Sequence, residues 1–283
     1  MIDLHCHSIC SDGSDAPAII AQIANMSGLT AVALTDHDTV DGLDEFLDQQ
    51  NRVSAQLIPG IELSCEFLGR DMHVLGLFID HRDALFQKRV QTLRLRRNKR
   101  NAQIFQKLEA IKIKIRPEDF SEDGHQGLLT RAHIADMLMK TGYAATKSEV
   151  FKKYLGENGL AYAPFEFLSP DEAFMWIREA GGLSFIAHPT RFSGDQFVWD
   201  HAMADLHDRG ARGIEAYYSD HSDKETSYYL ALCEALDMLP SGGSDYHGRR
   251  KPDCKLGTGW GNLNVPDNVI DALNNAVTRL RLE

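Results

Sequence analysis

Apolar and polar positions along the chain switch between two periods. Ile2, Leu4 and Cys6 alternate with Asp3, His5 and His7, a period of two that predicts a short strand with two imidazoles on one face. Ser14-Asp15-Ala16-Pro17 then offers an N-cap with proline in the first turn. Ile19, Ile20, Ile23 and Ala24 follow at helical spacing until Gly28 stops the run. Residues 29–34 are an apolar stretch that predicts a buried strand, ending at Thr35-Asp36-His37-Asp38. The rhythm repeats as a helix over roughly 42–55, a strand over 57–65, a turn at Gly69-Arg70 and a strand over 72–79. Later strands fall at 183–187, 213–217 and 239–242, with helices between them. Such alternation predicts an α/β fold with mostly parallel strands.

Polar residues gather where these strands end: His7, His37, Glu62, His188, Asp245 and His247. Both barrels and doubly wound sheets collect ligands there. So many contributing strands converge most easily on the rim of a closed barrel. One stretch breaks the rhythm. Over 83–164 the pattern is helical, and between Lys88 and Arg116 eleven lysines and arginines face a single acid, Glu109. The predicted organisation is a barrel formed by 1–82 and 165–283, with 83–164 as a small helical insertion that caps the substrate.

Composition narrows the class. With 283 residues, 43% of them hydrophobic, the chain can bury a full core. A formal net charge of −11 argues against a surface that coats nucleic acid, although bound divalent cations would invert the field locally. No run of about 18 apolar residues offers a membrane span, and the first residues lack a basic stretch followed by an apolar one, so no secretory signal is expected. The five cysteines are odd in number and form no CxxC pair. That argues against a disulfide framework or thiolate zinc site and points to a reducing, cytoplasmic compartment.

The chemistry sits in the histidines and acids. His5 and His7, two apart on a strand, point the same way and can share a metal centre. An isolated pair would more often be exposed or simply hydrogen-bonded. Here Asp12, His37, Glu62, His73, His188, Asp245 and His247 accompany it. Mixed imidazole and carboxylate donors suit Zn, Mn or Fe, and a carboxylate such as Glu62 can bridge two ions. Nine donors exceed the needs of one ion and would serve two or three. Burying so many charges unpaired would be costly, which favours metal over a merely structural cluster.

The motifs His5-Cys6-His7, Asp12, Thr35-Asp36-His37-Asp38, Pro59-Gly60-Ile61-Glu62, His73, Ala187-His188-Pro189 and Ser244-Asp245-Tyr246-His247 resemble, in order, those of the PHP superfamily of polymerase and histidinol phosphatase domains. The resemblance implies a distorted (β/α)7 barrel holding three ions, often Mn, Fe or Zn, with Mn expected here. It implies that His5, His7, Glu62 and Asp245 surround one ion, that Glu62, His73 and His188 hold a second, and that Asp12, His37 and His247 hold a third. Every ligand position is filled, unlike in a degenerate copy. The insertion, with Thr130-Arg131-Ala132-His133-Ile134-Ala135, is similar to that of bacterial nucleoside 3′,5′-bisphosphate phosphatases, whose relatives also trim short RNA from the 5′ end.

The implied reaction is hydrolysis of a phosphate monoester by a hydroxide formed from water bridging two ions, with Glu62, Asp245, His247 and His188 as the catalytic surroundings. Arg131 is a candidate phosphate clamp, the alternative being a surface arginine at a helix start. His133 would hydrogen-bond the phosphate or protonate a leaving group, against a structural role. Arg191 would reach the phosphate from the rim, against a rim salt bridge. His221 reads as part of a solvated loop, and Asp36 as the group that orients His37. The basic run around Arg94 to Arg100 is either a solvated face or a guide for polyanions. The expected partner is a small anionic phosphate ester, a nucleotide, with short single-stranded RNA as a further one. Histidinol-phosphate phosphatase is the rival enzyme, and a non-catalytic metal-stabilised interaction module the rival of another class.

Overall fold

The computed structural model describes residues 1–122, 127–192 and 196–282, with side chains described except at 121–122, 191–192 and 196–199. Seven strands form one sheet in sequence order: β1 (Ile2–Asp3), β2 (Ala31–Leu34), β3 (Gln56–Phe67), β4 (Arg70–Leu77), β5 (Leu183–Ile186), β6 (Gly213–Tyr218) and β7 (Leu239–Gly243). The sheet curls until its edges meet. Leu4 N donates to Gly242 O at 3.0 Å, and Cys6 bridges Tyr246 in parallel. This is a distorted seven-stranded α/β barrel. Gly243 lets it close: a Cβ there would lie 2.4 Å from His5 N and 2.8 Å from Asp3 Oδ1.

The strands are mostly parallel, as the alternation predicts, with one exception. β4 runs antiparallel to both β3 and β5, while the other neighbouring pairs are parallel. The cause is local. Leu68 and Gly69 have φ of 51° and 72°, the twist of a two-residue hairpin, whereas a parallel connection needs a crossover of about a dozen residues. Reversal has a consequence for the site: the first residues of β4 lie at the end of the barrel where the parallel strands finish.

Among the described residues, helices α1 (Pro17–Met26) and α2 (Leu43–Leu47) follow the first two strands. Pro17 opens α1 as expected, but the cap residue is Ala16. Ser14 instead accepts from Arg249 N, and Asp15 from the Tyr246 hydroxyl. Gly28, at φ 69°, turns the chain out of α1. α2 is much shorter than the predicted helix over 42–55.

The chain divides into two compact units, Met1–Arg89 with Phe167–Glu283, and Val90–Glu166. α3 (Ala84–Ala110) carries the chain into the second unit, which also holds α4 (Pro117–Glu122), α5 (Arg131–Lys140), α6 (Lys147–Val150) and a π-helical turn (Phe151–Leu155). That unit packs its own core around Ile104, Leu108, Ile134, Leu138 and Val150. In the first unit α7 (Pro170–Glu179), α8 (Gln196–Asp208), α9 (Asp223–Ala235) and α10 (Asn268–Leu280) complete the barrel. Val269, Ile270, Leu273 and Val277 put one face of α10 into a core with Ile2, Leu4, Ala31, Ala33 and Phe185. No helix among the described residues is long and apolar enough to cross a membrane.

Candidate metal centre

Alternation along β1 sends Ile2 and Leu4 into the apolar core and His5 and His7 to the opposite face. The loop that follows is fixed by Asp36, whose carboxylate accepts from Ser8 N at 2.8 Å, Ser8 Oγ at 2.6 Å and Ser11 Oγ. Asp36 therefore orders the loop leading to Asp12, rather than orienting His37 as expected. His37 leaves β2 and bridges Glu62 on β3. Ser64 pairs with His73 and Glu62 with Leu75 across the β3–β4 ladder. Glu62 and His73 are thus diagonal neighbours on one face, and the reversed β4 delivers His73 to the same rim as His188, Asp245 and His247. Asp38, His188 and Asp245 have φ of 48°, 28° and 55°, a conformation side chains of this kind adopt at a cost that the surroundings must offset.

All nine donors named from the sequence converge, with Glu62 in the middle. Its Oε1 lies 2.7 Å from His73 Nδ1 and 2.8 Å from His188 Nε2, and those two nitrogens are 3.2 Å apart. Its Oε2 lies 2.8 Å from His37 Nδ1, 3.3 Å from His7 Nε2 and 3.5 Å from His5 Nε2. His5 Nε2 and His7 Nε2 are 3.2 Å apart, at 3.6 and 3.3 Å from Asp245 Oδ1. Asp12 Oδ1 lies 3.3 Å from His247 Nε2, 3.8 Å from His37 Nε2 and 3.9 Å from His7 Nδ1.

Several of these contacts are poor hydrogen bonds but good neighbours around an ion. Two donors bound at about 2.1 Å with angles near 90–110° stand roughly 3.0–3.5 Å apart. Asp12 Oδ1 and Glu62 Oε2 are buried and accept no hydrogen bond, an arrangement a folded chain avoids unless something else satisfies the atoms. Four groups of donors lie close enough to hold an ion: His7, Asp12, His37 and His247; His5, His7 and Asp245; His5, Glu62 and His188; and His37, Glu62 and His73. The residues fit divalent cations.

Charge states follow from the crowding. Burial pushes the Glu62, Asp12 and Asp245 carboxyls up, but the surrounding imidazoles, and Lys251 for Asp245, hold all three well below the usual carboxylate range. Burial, with His247 and His37 alongside, lowers His7 to about 3. Its ring is a neutral donor. For His5, burial opposes charging, yet Glu215, Glu62 and Asp245 together raise it well above its ordinary value. In the metal-free fold the ring therefore carries its own positive charge, which a bound cation would replace.

Several contributors carry no motif. Glu215 on β6 is fully buried, 2.8 Å from His5 Nδ1 and 2.6 Å from His188 N. Lys251 Nζ lies 2.7 Å from Asp245 Oδ2, which also accepts from the Tyr218 hydroxyl at 3.0 Å. Asp3 accepts from the backbone amides of His5, Ser244 and Gly257. An acid inside the apolar run of β6, and Asp3 in register with His5 and His7, were the available signals. His221 is buried rather than solvated, stacked on Tyr229 with its Nδ1 2.9 Å from Ala216 O.

In the second unit, Arg131 opens α5 with its guanidinium carbon 5.7 Å from the Phe151 ring centroid. His133 is buried, and its Nδ1 caps the same helix through Thr130. The side chain of Arg191 lies outside the described residues.

Residues 3–160 match the PHP domain. A 5′-3′ exoribonuclease of Haemophilus influenzae is 31% identical over 272 residues, covering 95% of this chain and 96% of the relative. A 3′,5′-nucleoside bisphosphate phosphatase of Chromobacterium violaceum is 30% identical over 252 residues, 87% of each chain. A solved protein of Bifidobacterium adolescentis, assigned as a metal-dependent phosphoesterase, superposes with a TM-score of 0.83 at 25% identity, over 96% of this chain and 94% of that one. The chain belongs to the PHP domain family. It is a metal-dependent hydrolase, and its relatives are phosphoesterases.

Proposed function

We propose that the protein hydrolyses phosphate monoesters of nucleotides, with nucleoside 3′,5′-bisphosphates as the main substrates and short 5′-phosphorylated RNA as a further one. The observation that carries the chemistry is Glu62, whose two oxygens are divided between separate sets of imidazoles, as a bridging carboxylate requires. Similarity to a bisphosphate phosphatase and an exoribonuclease supports the nucleotide.

His5, His7, Glu62 and Asp245 would hold one ion, Glu62, His73 and His188 a second, and Asp12, His37 and His247 a third, with Mn as the metal. Bound there, divalent cations supply Lewis acidity toward phosphoryl oxygens and ease deprotonation of water. Glu62 keeps the two donor sets at a fixed separation, so the substrate phosphate meets a preorganised positive field. Asp245 offers Oδ1 to that field because Tyr218 and Lys251 occupy Oδ2. His188 and His247 present Nε2 to the centre, His188 against Glu62 and His247 against Asp12. In this proposal Arg131 and Arg191 grip substrate phosphate oxygens, which a planar guanidinium does with two parallel hydrogen bonds, and His133 hydrogen-bonds the phosphate or protonates the leaving group.

The test is phosphate release after Mn loading from AMP, 3′-AMP, adenosine 3′,5′-bisphosphate, histidinol phosphate and a short 5′-phosphorylated RNA. Highest kcat/KM on the bisphosphate or the RNA is expected. Preference for histidinol phosphate would overturn the nucleotide and keep the chemistry; no release from any of them would overturn both.

A further inference from the structure

Glu215 touches two of the nine donors and is itself no member of any donor group. It sits on β6 just before a register shift against β7, between Glu215 and Tyr217, a local irregularity of the kind that re-aims side chains. Its Oε1 is 2.8 Å from His5 Nδ1, and its Oε2 accepts from His188 N at 2.6 Å. We infer that Glu215 is a positioning residue that sets how both histidines present themselves to metal: it fixes which nitrogen of His5 is the donor, and it holds the backbone that aims His188. This inference rests on the metal-site reading above.

A neutral imidazole has one N–H and one lone pair. A carboxylate oxygen against Nδ1 puts the hydrogen there and leaves the lone pair on Nε2. That atom is the one 3.2 Å from His7 Nε2, 3.5 Å from Glu62 Oε2 and 3.6 Å from Asp245 Oδ1. The opposite tautomer would point an N–H into the same space and could not ligate. The second oxygen acts on conformation. His188 stands at φ 28°, a region few residues other than glycine occupy, and its amide is directed onto Glu215 Oε2. From that backbone its Nε2 reaches Glu62 Oε1 at 2.8 Å. One buried carboxylate thereby ties a donor following β1 to a donor following β5.

Glu215→Gln keeps the shape but places an N–H against one of the two donors. The full-length protein, stripped with chelator and titrated with Mn²⁺, is expected to bind about 10- to 100-fold more weakly as E215Q than as wild type. Equal affinity and stoichiometry in the two proteins would overturn the role of Glu215 alone, whereas a wild type that binds no metal would overturn the reading beneath it. Should E215Q fail to fold, wild-type protein loaded with diamagnetic Zn²⁺ decides by ¹⁵N NMR, with H5Q used to assign the resonance. Metal on Nε2 and hydrogen on Nδ1 of His5 is expected, and metal on Nδ1 overturns the proposal.

Discussion

The barrel mouth and the basic helix of the smaller unit are both dense in charge, and they treat it in opposite ways. Along the second unit's part of α3, five cations find partners in the segment 162–166. Arg96 donates to Glu166 O at 3.1 Å, Lys99 to the Glu166 carboxylate at 2.7 Å and Arg100 to Ala163 O at 2.9 Å, while Lys107 donates to Tyr162 O. The guanidinium carbons of Arg97 and Arg100 lie 5.2 and 5.3 Å from the Phe165 ring centroid. These side chains fasten the segment 162–166 to the helix. At the barrel mouth, donors face donors, and buried oxygens are left without hydrogen bonds. Convergence without mutual satisfaction marks the site; charge density does not.

The largest effect should come from breaking the bridge. Glu62→Gln removes a negative charge shared by two donor sets, and several kcal/mol of charge stabilisation correspond to a fall in turnover on the order of a thousandfold. Phosphate release by E62Q above about a tenth of wild type would contradict the place given to Glu62. Arg131→Ala comes next. Loss of a charge-assisted hydrogen bond worth about 1.5–3 kcal/mol should raise KM roughly 10- to 100-fold while leaving bound metal unchanged, which steady-state kinetics beside elemental analysis would show.

Arg100→Ala sharpens the contrast from the other side. The residue is 6% exposed, with a carbonyl and an aromatic face as partners. Its removal should cost about 1–3 kcal/mol of stability, read by urea melts, with metal content intact. A loss of metal in R100A would blur the distinction between the two regions.

The smallest effect concerns pH. In the fold His7 stays neutral down to about 3, against an ordinary value of 6.5. An unfolded chain therefore takes up a proton that the fold refuses. The stability tied to His7 is present above 6.5 and is lost as pH falls toward 3. Metal-free protein should weaken in urea melts between pH 7 and 5, and His7→Gln should flatten that decline; an identical slope in H7Q would remove His7 as a cause.

Much of this was legible in the sequence. Strand period places His5 and His7 on one face, and polar residues at strand ends mark the rim, so all nine donors could be named before any contact was known. What escaped depends on neighbours distant in sequence. Glu215 looks like any strand acid until His5 and His188 close on it, and Lys251 acquires a role only where the chain returns past Asp245. The turn before β4 was legible at Gly69, but not its hairpin type, because Leu68-Gly69 lacks the usual Asn-Gly signature. The helix expected over 42–55 shrank because polar side chains satisfy the backbone differently there. Gln50 accepts from Leu57 N and donates to Ala55 O, and Asn25 accepts from Ser54 N.

The most direct test of the account is the metal content of purified wild-type protein by elemental analysis, followed by phosphate release before and after chelation. Two or three equivalents of divalent metal per chain, with turnover lost on chelation and restored by Mn²⁺, is the predicted result. Less than about one tightly held equivalent per chain, with turnover that survives chelation, would contradict it.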